Sequence, residues 1–461
     1  MAGPTPVSSA QPLALLLLVR AALASRAGVD CDEVTEPKRR EELLSPAQRA
    51  DVDARLTRVD STFRSLESFL IFVGYSRSGH TLLGALLDGH PQVIVSNELH
   101  ALAKAQTDSK QLLSTIALNS ATCAVYGRTQ AGFNYSLNGA LPWQGRWCQE
   151  GLPAAAPAWC AHGPPRVIGD KRGGGTSLLL ERLSPADGVA HLLKFSGGLR
   201  LPLRVLHVMR SPYDMAATQF FTHSSVGDWH KLASAAAAAE AGNATWRPLR
   251  ECEQAHLNST AGFYARLLTR NAALRAQLRP DHCACALVAA DDGGGKGGGK
   301  GGDSGGLTSG LDCVRRCNGA SKTAAPSLRW LDLKTESLVR QPVAHLRAIC
   351  AFLGVACPEA YVSAAAGAVR PSRHETSALL RWPEAVITST QHSLEHAAAT
   401  EAEWRPLLDG YARRPPSNLA QTPHRPPASR LAMTRTLETC RREQVLHQAM
   451  DAVRSKPESK P

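Results

Sequence analysis

The run Gly74-Tyr75-Ser76-Arg77-Ser78-Gly79-His80-Thr81 has the spacing G-x-x-x-x-G-x-[ST] of a phosphate-binding loop. Such a loop aims backbone N–H groups and a helix N-terminus at an anion. A loop built for a nucleoside triphosphate carries Lys directly before the Ser or Thr, to reach the β- and γ-phosphates. Here that position is His80, and the cation stands earlier, at Arg77. Arg77, Ser78, Gly79, His80 and Thr81 are therefore expected to hold an anionic group, without the triphosphate–Mg²⁺ pattern. The bland alternative is a tight strand–helix turn that binds nothing.

A second anion site is written around Arg210. The stretch Arg204 to Met209 reads as a strand, Arg210 stands at its carboxyl end, and Pro212 opens a helix on which Thr218 lies two turns in. Guanidinium and hydroxyl together can hold a second phosphate; otherwise Arg210 is a surface arginine closing the strand. Two further residues have the chemistry for group transfer to a hydroxyl. Glu98 follows a short strand and can act as the base that an alcohol or phenol needs, or else it pairs with a neighbouring arginine. Lys171, after Val167-Ile168-Gly169-Asp170, can join Arg77 in holding charge that develops on a leaving phosphate. His100 and Asp88 are weaker candidates for the base, and Asp88 reads as a helix-end residue.

These residues need a scaffold that gathers strand ends. Ser45-Pro46 has the form of an N-cap followed by proline at the first helical position, with a helix running to about Leu66. Phe69 to Val73 is an apolar run closed by Gly74, the pattern of a buried parallel strand. His80 to Asp88 reads as a helix stopped by Gly89 and Pro91, and Val93 to Val95 as a second strand. Further strands are expected at 166–169, 204–209, 286–288 and 328–333, and an amphipathic helix over Gln341 to Leu353. Residues 120–165, with Cys123, Cys148, Cys160 and many Gly and Pro, read as a Cys-rich insertion held by disulfides. Alternating strands and helices imply an α/β fold, a three-layer, mainly parallel sheet, with ligands at the carboxyl ends of the strands.

The segment Phe72 to Glu98 resembles the 5'-phosphosulfate loop of the sulfotransferases, most closely the lumenal branch that includes the tyrosylprotein and carbohydrate sulfotransferases. The resemblance rests on Arg77-Ser78-Gly79-His80-Thr81-Leu82, then Leu87-Asp88-Gly89-His90-Pro91, then Glu98; His80 replaces a threonine. Arg210, Pro212, Asp214 and Thr218 resemble that family's 3'-phosphate motif, with Thr218 in place of serine. Asp170-Lys171 resembles its lysine element, but Arg172-Gly173 follows where proline is usual. Weaker likenesses at Lys334 to Pro342, Ala351 to Gly354, Arg381-Trp382 and Leu407 to Tyr411 extend the span to roughly 69–412. The resemblance implies 3'-phosphoadenosine 5'-phosphosulfate as co-substrate, no metal, Glu98 as base, and an acidic peptide or polyanionic carbohydrate as acceptor rather than nucleic acid. A binding protein that keeps the fold without catalysis, and a P-loop kinase or NTPase, are the alternatives.

The remaining features concern compartment and boundaries. The 461 residues are 43% hydrophobic and 20% charged, which excludes a globally disordered chain, and the formal net charge of +12 suits anionic partners. Residues 1–24, with Pro12 to Val19 apolar and Ala22-Leu23-Ala24 a small-residue site, read as a signal peptide or, uncleaved, as an anchor and the one route to a membrane. Three glycosylation triplets begin at Asn134, Asn243 and Asn258, and all twelve cysteines lie beyond the leader. An even cysteine count in an exported chain implies disulfides, and so the secretory lumen, the Golgi in particular, or secretion. Cys283 or Cys285 is expected to join Cys313 or Cys317 around the glycine-rich loop 291–310; a four-thiolate zinc site is the alternative. A charged helical segment at 25–68 and a basic, proline-rich tail at 413–461 flank the domain.

Overall fold

The computed structural model describes residues 31–57, 59–104, 108–130, 133–134, 147–148, 158–223, 251–278, 283–287, 312–314, 328–369, 382–400 and 419–420. The leader 1–24, Asn243, the glycine-rich loop 291–310, Cys317 and nearly all of the tail 413–461 lie outside these residues.

Six strands form one parallel sheet: β1 (Ser68–Gly74), β2 (Val93–Ser96), β3 (Val167–Asp170), β4 (Leu203–Met209), β5 (Cys283–Leu287) and β6 (Leu328–Lys334), in the order β2-β3-β1-β4-β6-β5. β1, β2, β3, β4 and β6 are buried along their whole length. That burial explains their near-continuous apolar sequences, since both faces of a parallel sheet are covered. Each boundary lies within a few residues of that expected from sequence.

One face carries Leu70, Phe72, Leu206, Val208, Leu331 and Leu333 and packs under α2 (His80–Asp88) and the helices Pro342–Leu353 and Glu359–Ala368. The other carries Phe69, Ile71, Val73, Val205 and Trp330 and packs under α3 (Ser109–Tyr126), the helix Pro185–Leu199 and the N-terminal helices. The protein is therefore a three-layer, mainly parallel α/β structure. Within the second face, β4 and β6 hold a buried polar network: His207 Nδ1 donates to Asp332 Oδ1 (2.8 Å), Trp330 Nε1 donates to the same oxygen (2.8 Å), and Arg275 pairs with Oδ2 (2.9 Å). Buried polar groups need such partners.

The N-terminal segment belongs to this core. Its helix α1 (Pro46–Leu56) is capped by Ser45, whose hydroxyl accepts from the Gln48 N–H while the Gln48 side chain accepts from the Ser45 N–H. This reciprocal cap bears out the expected start. The end differs: the helix stops at Leu56, and short helical turns over Val59–Thr62 and Phe63–Ser65 complete the segment. Cys31, Val34 and Val52 are buried with the sheet, and a Cys31–Cys123 disulfide fastens the segment to α3.

The insertion expected over 120–165 needs correction at its beginning. Residues 120–126 are the last two turns of α3, an 18-residue helix started by an Asp108 cap and ended at Gly127. Polar side chains hide it, because they point inward. Asn119 accepts from the Asn97 N–H (2.6 Å), and Ser120 donates to Asp88 (2.5 Å). Asp88 also takes the Val95 N–H (2.8 Å) and a buried ion pair from Arg128 (2.6 Å). It is a structural tie between α2, β2 and α3, consistent with a helix-end role rather than a catalytic one. Farther on, Cys148 and Cys160 are bonded as expected of a disulfide-held insertion. The glycosylation candidate Asn134 lies in a two-residue strand and Asn258 within the helix Glu251–Ala276.

Four disulfides are present among the described residues: Cys31–Cys123, Cys148–Cys160, Cys285–Cys313 and Cys350–Cys357. They suit an oxidising, secreted or lumenal compartment. No described helix is long and apolar enough to cross a membrane. The Cys285–Cys313 bond takes two of the four thiolates that a zinc site would need. Peptide mapping of non-reduced protein should recover a cross-linked peptide containing Cys285 and Cys313. Recovery of both as free alkylated thiols would contradict the pairing.

Candidate active site

The candidate residues converge because five strands deliver them from one edge. Arg77 follows β1, Glu98 follows β2, Lys171 and Arg172 follow β3, Arg210 follows β4, and Thr335 and Glu336 follow β6. Carboxyl ends of parallel strands are where such sheets bind ligands.

The loop between β1 and α2 is shaped by backbone geometry. Gly79 caps α2 at φ 96°, and Arg77 also takes a left-handed conformation at φ 73°. A side chain on Gly79 would come within 2.9 Å of Thr335 Cγ2. The Ser78 N–H closes the turn on the Tyr75 carbonyl (3.2 Å). The N–H groups of His80, Thr81 and Leu82 open α2 and have no intrahelical acceptor. With the helix dipole, they would favour an anion at this end of the loop.

His80 contributes to this end only through its backbone. Its imidazole turns inward, where Nε2 donates to the Val73 carbonyl (3.2 Å). The ring occupies the space that side chains on Gly74 and Gly173 would fill: a Cβ on Gly74 would meet Nε2 at 2.7 Å, and one on Gly173 at 2.2 Å. Burial pulls its pKa down to about 4, assisted by the nearby Lys171. The side chain expected to touch an anion is thus a neutral wedge beneath the loop.

Lys171 takes the position of importance. Its side chain is wholly buried, with its methylenes packed against Gly84, where a Cβ would come within 2.5 Å of Cγ. Its ammonium donates to Thr81 Oγ1 (3.1 Å) and to Glu98 Oε1 (2.8 Å). Arg172 pairs with the other oxygen of Glu98. Glu98, 23% exposed, therefore has the ion-paired character considered from sequence, held by two cations at the strand-end edge. Its loop is set by Asp170, which accepts from the Ser96 hydroxyl (3.0 Å) and the N–H groups of Leu99 (3.0 Å) and Ala101 (2.9 Å). His100 adopts φ 56° in this loop, and its ring packs near Gly175.

Arg210 reaches toward the loop, donating from Nη1 to the Arg77 carbonyl (3.1 Å). The two expected anion sites are thereby in contact. Thr218 is buried on α4 (Pro212–His223) and donates its hydroxyl to the Asp214 carbonyl (2.7 Å). Its hydroxyl would have to leave the helix backbone to meet a phosphate.

Other residues around this edge were not among the expected site residues, although Thr335 and Glu336 fall within the likeness noted at Lys334 to Pro342. Thr335 donates its hydroxyl to the Ser78 carbonyl. Glu336 accepts the Ser211 N–H (2.6 Å), and the Tyr264 hydroxyl accepts the Arg210 N–H (2.9 Å). Tyr264 also meets Tyr75 of the loop edge-on, at 5.6 Å between centroids. Burial raises the pKa of Glu336, opposed by the Ser211 N–H and the charge of Arg210. The visible signal was the position of Thr335 and Glu336 directly after a buried strand.

The chain matches no protein-family model, and no curated protein is significantly similar to it.

The inward His80 has a pH consequence. Its folded pKa, about 4, lies below the ordinary 6.5, so the unfolded chain binds its proton first. His80 costs nothing above pH 6.5, and stability falls as pH drops from 6.5 toward 4. For this group alone the loss is about 2 kcal/mol between pH 7.5 and pH 5. Urea unfolding of wild type and His80→Gln across that range should give a flatter curve for the variant. Parallel curves would show that the imidazole is not held neutral by burial.

Proposed function

We propose that the protein is a sulfotransferase that moves a sulfuryl group from 3'-phosphoadenosine 5'-phosphosulfate to an acceptor hydroxyl. Its acceptor is an acidic peptide or a polyanionic carbohydrate, and its place of work is the Golgi lumen. The observation that carries this reading is the Lys171 ammonium, bonded at once to Thr81 of the anion cradle and to Glu98. In triphosphate-binding loops the hydroxyl at this position serves Mg²⁺. Here a protein cation occupies that hydroxyl, which favours a phosphosulfate over a metal-bound triphosphate and speaks against the kinase alternative.

In this reading the cradle and Arg77 hold the donor's 5'-phosphate, and Arg210 its 3'-phosphate. The acceptor oxygen attacks sulfur and forms the new O–S bond. The bond between sulfur and the bridging phosphate oxygen breaks, and its electron pair leaves with adenosine 3',5'-bisphosphate. Glu98 takes the hydroxyl proton, while Arg77 and Lys171 stabilise the charge gathering on the leaving phosphate. The ion pairs of Glu98 also fit a second role: orienting the carboxylate and, without donor, balancing Lys171 and Arg172.

Two substitutions test the assignment. Arg210→Ala should weaken binding of 3'-phosphorylated donor by about 2–3 kcal/mol while sparing adenosine 5'-phosphosulfate; equal loss for both ligands would refute the role of Arg210. Glu98→Gln should lower single-turnover sulfation about 10²–10⁴-fold with donor affinity nearly unchanged. If stability and donor affinity fall together instead, Glu98 is only a structural partner of the two cations. Retention of more than about half the turnover would transfer the role of base to His100.

A further inference from the structure

We infer that Glu336 is a positioning residue for recognition of the donor's second phosphate. Its carboxylate holds the turn that carries Arg210, and Thr335 beside it holds the loop that carries Arg77. The inference rests on the reading of Arg210 as the 3'-phosphate arm.

The geometry is specific. β6 ends at Lys334, and α5 (Thr335–Arg340) begins at the next residue. Its first two residues reach in two directions. The Thr335 hydroxyl donates to the Ser78 carbonyl, in the loop after β1. The Glu336 carboxylate accepts the Ser211 N–H at 2.6 Å, in the turn after β4. One dipeptide therefore joins both anion-binding elements, which lie more than 130 residues apart in sequence at Arg77 and Arg210.

Arg210 is fixed from several sides as a result. Its own N–H is taken by the Tyr264 hydroxyl, the next N–H by Glu336, and its guanidinium reaches the Arg77 carbonyl. The N–H groups of Arg210 and Ser211 are already committed, so Arg210 itself meets a phosphate through its guanidinium. A guanidinium reads a phosphate through the direction of its fork, and that direction depends on the backbone beneath it. Glu336 is partly buried and bonds the backbone next to Arg210, so its effect on ligand binding passes through Arg210. Its charge also lies near Arg210 and Asp214. The neutral amide of glutamine keeps an oxygen for the Ser211 N–H, so it separates the bond from the charge.

The test is calorimetric titration of the full chain with adenosine 3',5'-bisphosphate and with adenosine 5'-monophosphate. The quantity read is the ratio of their dissociation constants, which isolates the 3'-phosphate. Glu336→Gln should keep the wild-type ratio within about threefold, whereas Glu336→Ala should reduce it about tenfold or more, with monophosphate affinity changed less than about threefold. Glu336→Met, which fills the space without an acceptor, should behave as Ala does and serves if the Ala variant does not fold. A ratio unchanged in both acceptor-free variants, or equal weakening of both nucleotides, overturns the inference. So does a Gln variant as impaired as Ala, since charge rather than the Ser211 bond would then be responsible. If the wild-type ratio is itself near one, the assignment of Arg210 falls, and this inference with it; a large wild-type ratio that survives Glu336→Ala removes the inference alone.

Discussion

The Lys171 ammonium is the interaction on which the site depends. Its carbon chain lies in the interior against Gly84, and its charge is withdrawn from water. A buried ammonium is costly unless it is paired and hydrogen-bonded. Thr81 and Glu98 supply those partners. The pairing ties three elements to one atom: α2 through Thr81, the loop after β2 through Glu98, and the end of β3 through Lys171 itself. Loss of either partner would leave the buried ammonium short of a hydrogen-bond acceptor.

Glycines make room for this arrangement. Gly84 admits the Lys171 chain, while Gly74 and Gly173 admit the imidazole of His80. The cations around this loop come from three places: Arg77 within it, Lys171 after β3 and Arg210 after β4. Asp170 and Asp88 perform quieter work with the same logic. Each carboxylate gathers N–H and hydroxyl donors from separate elements and so fixes the loops that follow β2 and α2.

The local pattern of the sequence made the frame legible. Ser45-Pro46 marked a real cap, Phe69 to Gly74 a real central strand, and His80 to Asp88 the helix as built, because each is decided by neighbours in the chain. The candidate residues Arg77, Glu98, Lys171 and Arg210 were legible as strand-end residues, and the sheet order brings those ends to one edge. What the sequence hid depends on distant pairs. Nothing near His80 announces that its ring will lie against Gly173, and nothing near Glu98 that two cations from β3 will hold it. The end of α3 was concealed because Asn119, Ser120 and Thr122 are buried polar residues that break the apolar period. Cys31 could not be matched to Cys123 from spacing, nor Glu336 to Ser211.

The central claim is that a protein cation, Lys171, stands at the hydroxyl where triphosphate-binding loops place a metal. Calorimetric binding of adenosine 3',5'-bisphosphate in excess EDTA and again in excess Mg²⁺ tests it most directly. With Lys171 on Thr81, the two dissociation constants should agree within about twofold, and ATP should bind more weakly than the bisphosphate whether or not Mg²⁺ is present. Tightening of about tenfold or more by Mg²⁺, or preferential binding of Mg²⁺–ATP, would contradict the account and return the loop to triphosphate chemistry.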